Sequence, residues 1–226
     1  MAGKLARGTV GRKRLVTRLV ETVLKIIEQR QAPNPRRVRI FLAEKRISVP
    51  FEQIDIMKLD QRSETFMAHN PFRQVPVLVL DDGTAISETI AICRYFEEMQ
   101  PEPPLLGRDR MDRVIVEMWQ RRMELGLLFH VAQCFRHTHP AMGELEKPQV
   151  KEWGEANRPR VLELLSFLDQ ELAKRPYIAG NDYSIADITA LVAIDFMKPA
   201  RIARPEGLNN LDRWHSAVSG RPSAQA

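Results

Sequence analysis

The pair Val75-Pro76, the apolar run Val77 to Leu80, the turn Asp82-Gly83 and the short return Ala85-Ile86 constrain this chain's architecture more than any other stretch. A proline at the first position of a strand has no N–H to give a neighbour, so it ends pairing there or sits in a cis turn. Asp-Gly between two apolar runs signals a tight hairpin. Ser87 then reads as the N-cap of a helix whose first turn holds Glu88 and Thr89 and whose apolar positions are Ile90, Ile92, Phe96 and Met99. The stretch predicts a hairpin that delivers a capped helix start to one sheet edge.

That arrangement has a chemical use. The free N–H groups and positive dipole end of a helix attract a carboxylate, and the Glu88 side chain beside them attracts an ammonium. Together they suit an amino-acid head group. Pro76 removes a donor from the strand, so Val75 can offer its own N–H and C=O to an extended peptide laid alongside. The implied ligand is a small peptide with a free α-amino acid end, although Ser87-Glu88-Thr89 is also simply a good helix start.

Upstream, Leu24 to Ile27 reads as a short buried strand, followed by a loop with Pro33 and Pro35. Asn34 is the expected N-cap of the next helix, with Pro35 at its first position and Val38, Phe41 and Leu42 on its apolar face. Phe51 to Ile56 reads as a second strand and Thr65 to His69 as a short helix. Gln100 to Pro104 is a proline-rich break. Beyond it the periodicity is helical: a long amphipathic stretch from Asp109 to Phe129 or further, another from Glu152 to Ala173, a buried helix from Ile185 to about Met197 and a last one from Asn209 to Ser219. Ser184 and Asp187 form a capping-box-like pair at the start of the buried helix, with Tyr183 and Ile188 spaced as a hydrophobic staple, which makes Asp187 structural.

Asn70-Pro71-x-x-Gln74-Val75-Pro76, the hairpin, Ser87-Glu88-Thr89 and Ile90-Ala91-Ile92-x-x-Tyr95 resemble the glutathione-binding half of the cytosolic glutathione transferase superfamily. Ala32-Pro33-Asn34-Pro35-Arg36-Arg37-Val38-Arg39-Ile40 resembles that family's first loop and helix, and Ser184-Ile185-Ala186-Asp187-Ile188 resembles its second capping motif. The likeness runs over residues 23–222 and is nearest the serine- and asparagine-type classes, such as theta and Nu. It implies an α/β plus all-α fold: a thioredoxin-like domain over 23–99, a linker over 100–108 and a helical bundle over 109–226. It also implies reduced glutathione as co-substrate, no tightly bound cofactor, a small hydrophobic electrophile as second substrate and a cytoplasmic, detoxifying homodimer.

Residue by residue, the resemblance carries Val75 as backbone partner of the cysteinyl unit, Glu88 and Thr89 as contacts to the γ-glutamyl end, and Gln61 and Gln74 as contacts to the glycine carboxylate, with Arg73 or Arg62 assisting. The electrophile is expected against the long helix, at Met111, Ile115, Met118, Trp119 and Arg122, although an apolar stripe at helical spacing also describes core. Activation requires making a thiolate from a thiol with a pKa near ~8.5. Lowering it by two units takes about 2.7 kcal/mol of anion stabilisation. The family's usual tyrosine, serine or cysteine donor is absent, since Ala32 stands at the hydroxyl position. Asn34 is the best substitute, as a side-chain donor, as a helix cap or as both. Arg36 or Arg37 would add positive potential, with Arg37 expected on the solvated surface. Two other readings remain: a glutathione-dependent disulfide or peroxide reductase, and a non-catalytic glutathione-binding protein.

The 226 residues carry a net charge of +5, much of it in the acid-free stretch from Lys4 to Arg18. Residues 1–22 therefore read as a basic, disordered or loosely helical extension, either a targeting or membrane-surface segment or the product of an upstream start codon. The remainder is near charge balance and has no aromatic-interleaved basic stripe, so no specific nucleic acid is expected. No apolar run reaches the roughly 18 residues of a membrane span. Cys93 and Cys134 are too few for a disulfide framework and fit a reducing cytosol, buried and unreactive. His137-Thr138-His139 has no evident third ligand, so no metal is expected.

Overall fold

The computed structural model describes residues 24–226, so the expected basic extension lies outside the described residues. Strand β1 (Lys25–Glu28) leads through a loop into helix α1 (Pro33–Lys45) and back into β2 (Phe51–Gln53). The helix starts two residues earlier than the Asn34 cap predicted. Ala32 holds the N-cap position with extended backbone, and Pro33 and Pro35 both fall in the first turn, where a fixed φ suits the helix and a missing N–H costs nothing. β2 is also shorter than expected. Asp55 accepts from the Met57 and Lys58 N–H groups and turns the chain into a 3₁₀ turn at Ile56–Lys58.

A second 3₁₀ turn (Asp60–Arg62) and helix α2 (Glu64–His69) lead to the hairpin of β3 (Val77–Val79) and β4 (Ala85–Ser87), with Gly83 at φ 87° in its turn. The sheet order is β2-β1-β3-β4, with β1 and β2 parallel and the other pairs antiparallel. Ser87 does not cap helix α3 (Thr89–Met99). It is held opposite Val77 in the β ladder, and Glu88, at φ 71°, is the cap residue instead.

One face of the sheet packs Ile26 and Leu78 against Val38 and Phe41 of α1 and Ile92 and Phe96 of α3, in a core continuous with that of the helical half. The other face packs Ile27, Val77 and Val79 under Phe66 of α2. This is a thioredoxin-like unit: a small mixed sheet with helices on both faces.

The helical half comprises α4 (Arg110–Arg121), α5 (Phe129–Thr138), α6 (Lys151–Leu172), α7 (Ile185–Phe196) and α8 (Asn209–Ser219). The long helix expected from Asp109 is interrupted. A π-helical turn over Arg122–Leu128 joins α4 to α5 without ending the run. Such insertions re-aim side chains and recur at functional sites. Helix α7 is apolar nearly all round and buried, as a central helix should be. Its capping box forms as read: Ser184 and Asp187 bond each other's backbone, and Asp187 also accepts from Ile178 N at 2.9 Å and Trp214 Nε1 at 2.8 Å.

Charged side chains pin both the connector and the C-terminal segment onto the thioredoxin-like half. The Lys45 ammonium, 0% exposed, pairs with Glu97 and donates to the carbonyls of Gln100 at 2.8 Å, Pro101 at 3.0 Å and Pro103. At the C-terminus, Arg221 forms a forked pair with Glu44 on α1 at 2.7 Å for both bonds, Ser223 Oγ donates to the same carboxylate, and Arg36 Nη2 donates to Ala224 O at 3.2 Å.

Candidate functional site

The β ladder brings the motifs to one end of the sheet. Ile27 pairs with Val77 and Val77 with Ser87, so the loop after β1, the Val75-Pro76 pair before β3 and Glu88 after β4 all leave the sheet on the same side. β2 runs parallel to β1, and its exit toward the Asp60–Arg62 turn lies there too. Asn34, Gln61, Val75, Glu88 and Thr89 therefore converge on the edge where open α/β sheets take ligands.

Each element leaves polar groups free at that edge. The Val75-Pro76 bond is cis, and the Val75 N–H and C=O make no hydrogen bond among the described residues. Helix α3 begins without a side-chain cap, and the N–H groups of Thr89, Ile90 and Ala91 have no partner there. An uncapped start with Thr89 buried leaves donors that a ligand anion can satisfy. Glu88 holds positive φ although it is not glycine, a backbone state that costs energy and concentrates at functional sites. Gln61 is 5% exposed, and its Oε1 has no hydrogen-bond partner among the described residues. Gln74, by contrast, is exposed, and its carbonyl is held by Asn70 Nδ2 at 2.9 Å.

At the start of α1 the two prolines remove two N–H groups, and Arg36 N–H returns to Ala32 O at 3.3 Å. Among the described residues, the Asn34 N–H in this turn finds no partner. The Asn34 side chain does not cap. Its Oδ1 accepts from Arg37 Nη1 at 3.1 Å. Arg37 is the main departure from the sequence reading: instead of lying in solvent it is 1% exposed, bonded to Thr189 Oγ1 and to Glu124 of the π-helical turn. Arg36 pairs with Asp195 at 2.7 Å, and His215 bonds the same carboxylate.

The five residues expected to line the second pocket do not share one face. Met111 and Met118 are exposed on a stripe that continues through Val114, Leu125 and Phe129. Ile115 is half-buried against the core. Trp119, 3% exposed, turns the other way, stacking on Phe167 of α6 with the guanidinium groups of Arg122 and Arg175 over its ring. Trp119 is core, and Arg122 covers it. Glu124 reaches the Asn34 neighbourhood from this run, through Arg37.

Burial pushes the Cys93 thiol up to about 12, so it remains protonated at neutral pH, and burial likewise raises Cys134. His137 Nδ1 and His139 Nδ1 accept from backbone N–H groups, and among the described residues no three side chains form a metal-binding cluster.

A thioredoxin-like sheet with an uncapped α3 start, joined to a helical bundle with a central capped helix, defines the architecture of the cytosolic glutathione transferases. The chain matches the family model of the glutathione S-transferase N-terminal domain over residues 32–99 and that of the C-terminal domain over residues 119–222, and it belongs to this family. Within it, the chain resembles the Gtt2-type proteins. It is 38% identical over 196 residues to glutathione S-transferase 2 of Saccharomyces cerevisiae, spanning 85% of this chain and 84% of that one. The crystal structure of Saccharomyces cerevisiae Gtt2 superposes with a TM-score of 0.85 at 37% identity, covering 89% of this chain and 98% of that one. A glutathione S-transferase domain-containing protein of Marinobacter aquaeolei also superposes with a TM-score of 0.85, at 36% identity over 88% and 98% of the two chains.

Proposed function

We propose that the protein transfers reduced glutathione to a hydrophobic electrophile. The observation that carries this reading is the uncapped α3 start beside Glu88, at the same end of the sheet as the Val75 backbone, which has no partner among the described residues. A γ-glutamyl carboxylate fits the free N–H groups of Thr89 to Ala91, its ammonium fits Glu88, and the cysteinyl unit fits the Val75 N–H and C=O as an added strand residue. Gln61 and Gln74 are assigned to the glycine end. The glutathione-binding unit is taken as 23–99 and the helical unit as 109–226, joined by 100–108.

The thiol then lies near the α1 start, where two donors are at hand: the unpaired Asn34 N–H and the Asn34 Nδ2. Both favour the thiolate over the thiol. The protein acts by orientation and anion stabilisation, with no covalent intermediate. Leu125 and Phe129, exposed on and just after the π-helical turn, replace Trp119 and Arg122 as the apolar wall offered to the electrophile. A homodimer is supported by the family resemblance and by Phe72, an apolar side chain left 76% exposed. Cytoplasmic residence and a detoxifying role follow from the family resemblance, and among the described residues no helix is long and apolar enough to cross a membrane.

Steady-state conjugation of a model aromatic halide tests the reading. Asn34→Ala is expected to lower kcat/KM by about 10- to 100-fold while leaving the KM for glutathione nearly unchanged, the pattern of a donor that acts on the anion rather than on binding. Glutathione binding with no conjugation, at any pH, would leave a carrier. Turnover confined to a model disulfide would leave a reductase.

A further inference from the structure

Arg37 sits in the first turns of α1, buried where a charge needs partners. It has them on all three nitrogens. Nε donates to Thr189 Oγ1 on α7 at 3.1 Å, and Nη1 donates both to Asn34 Oδ1 at 3.1 Å and to Glu124 Oε1 at 2.9 Å. With the Gln120 amide turned so that its nitrogen meets Thr189 Oγ1, Gln120 Oε1 accepts from Nη2 at 2.8 Å. The guanidinium is thus fixed by α4, the π-helical turn and α7 together.

This fixes Asn34 in turn. A carboxamide has one accepting and one donating end, and its terminal torsion is broad and nearly two-fold, so hydrogen bonding decides which end points where. Arg37 has donors only and therefore holds the oxygen, never the nitrogen. Asn34 Nδ2 is turned away from Arg37 and has no protein partner among the described residues.

We propose that Arg37 is a positioning residue for thiol activation. By holding Asn34 Oδ1 it commits the amide to donate from Nδ2 to the sulfur of bound glutathione, and Glu124 keeps Arg37 in register from the helical half. The inference rests on Asn34 being the donor. The step is one of proton equilibrium: the bound thiol gives its proton to solvent, and the two Asn34 donors stabilise the sulfur anion left behind.

Charge alone makes a different prediction. Acting through space, Glu124 would raise the thiol pKa and Arg37 would lower it. Glu124→Gln keeps an accepting oxygen but removes the negative charge, so a through-space effect lowers the pKa whereas loss of positioning raises it. Arg37→Lys keeps the charge but replaces a rigid fork with a single mobile ammonium.

The experiment titrates the glutathione-saturated full chain by thiolate absorbance, with thermal unfolding of each variant as a check on folding. Wild type is compared with Asn34→Ala, Glu124→Gln, Arg37→Lys and the two double variants that carry Asn34→Ala. Asn34→Ala is expected to raise the bound-thiol pKa by about one pH unit, and Glu124→Gln and Arg37→Lys to raise it by roughly half as much. Neither is expected to add anything in the Asn34→Ala background. Equal shifts in both backgrounds, or a lower pKa in Glu124→Gln, would overturn the positioning role and leave Asn34 as donor. An unchanged pKa in Asn34→Ala would overturn the donor itself and the relay with it. If Arg37→Lys does not fold, Glu124→Gln, at a partly exposed position, decides the matter by its sign.

Discussion

At the scale of single residues, what matters is who satisfies a buried polar group. Asp187 is fully buried and has no cationic partner among the described residues. Burial pushes its carboxyl up, while the N–H groups of Ile178 and Ser184, the Ser184 hydroxyl and the Trp214 indole pull the other way. Asp187→Ala strands all of these donors and is expected to cost about 3 kcal/mol in urea unfolding, with little change in glutathione affinity. This residue was legible because its partner Ser184 is three positions away and the spacing is itself a signal. Arg37 was not. Its partners Glu124 and Thr189 lie 87 and 152 residues downstream, and from sequence alone an arginine in a first turn reads as solvated. Trp119 failed for a related reason: periodicity marks an apolar stripe but not which side of it meets another helix.

Elements were legible in kind and order, and the errors gathered at their ends. Helix α8 runs from Asn209 to Ser219 as its pattern predicts. Ser87 and Asn34 both looked like caps, and both positions were decided by neighbours: the ladder holds Ser87, and Pro33 begins α1 early. The π-helical turn had no sequence marker, since one inserted residue leaves the apolar stripe nearly continuous. The docking of the C-terminal segment on α1 carries its own pH dependence. Burial alone would raise the Glu44 carboxyl, yet the bonds from Arg221 and Ser223 hold it below the ordinary carboxylate range. A lowered folded-state pKa contributes stability that is complete above the unfolded value, near ~4.3, and is lost as pH falls through the folded value. Thermal unfolding from pH 6 downward is therefore expected to show a loss below about pH 4 that is smaller in Glu44→Gln.

For the whole molecule, the thioredoxin-like sheet and helical bundle were legible because turn chemistry, capping and order agree at every level. What no pattern announced is how the connector is bolted to the thioredoxin-like half. Lys45→Met leaves Glu97 without its cation in a buried setting, although Glu97 still accepts from Leu106 N at 3.0 Å, and is expected to cost about 3 to 5 kcal/mol by calorimetry. The Lys45 ammonium also changes what the proline-rich connector can be. With three of its carbonyls spent on one buried cation, residues 100–103 form a strut and not a hinge. The cage lies wholly on the thioredoxin-like side: Lys45 on α1, Glu97 on α3 and the connector's own carbonyls. The connector should then melt with the thioredoxin-like half, and because one core runs through both halves, heat should melt them in a single step.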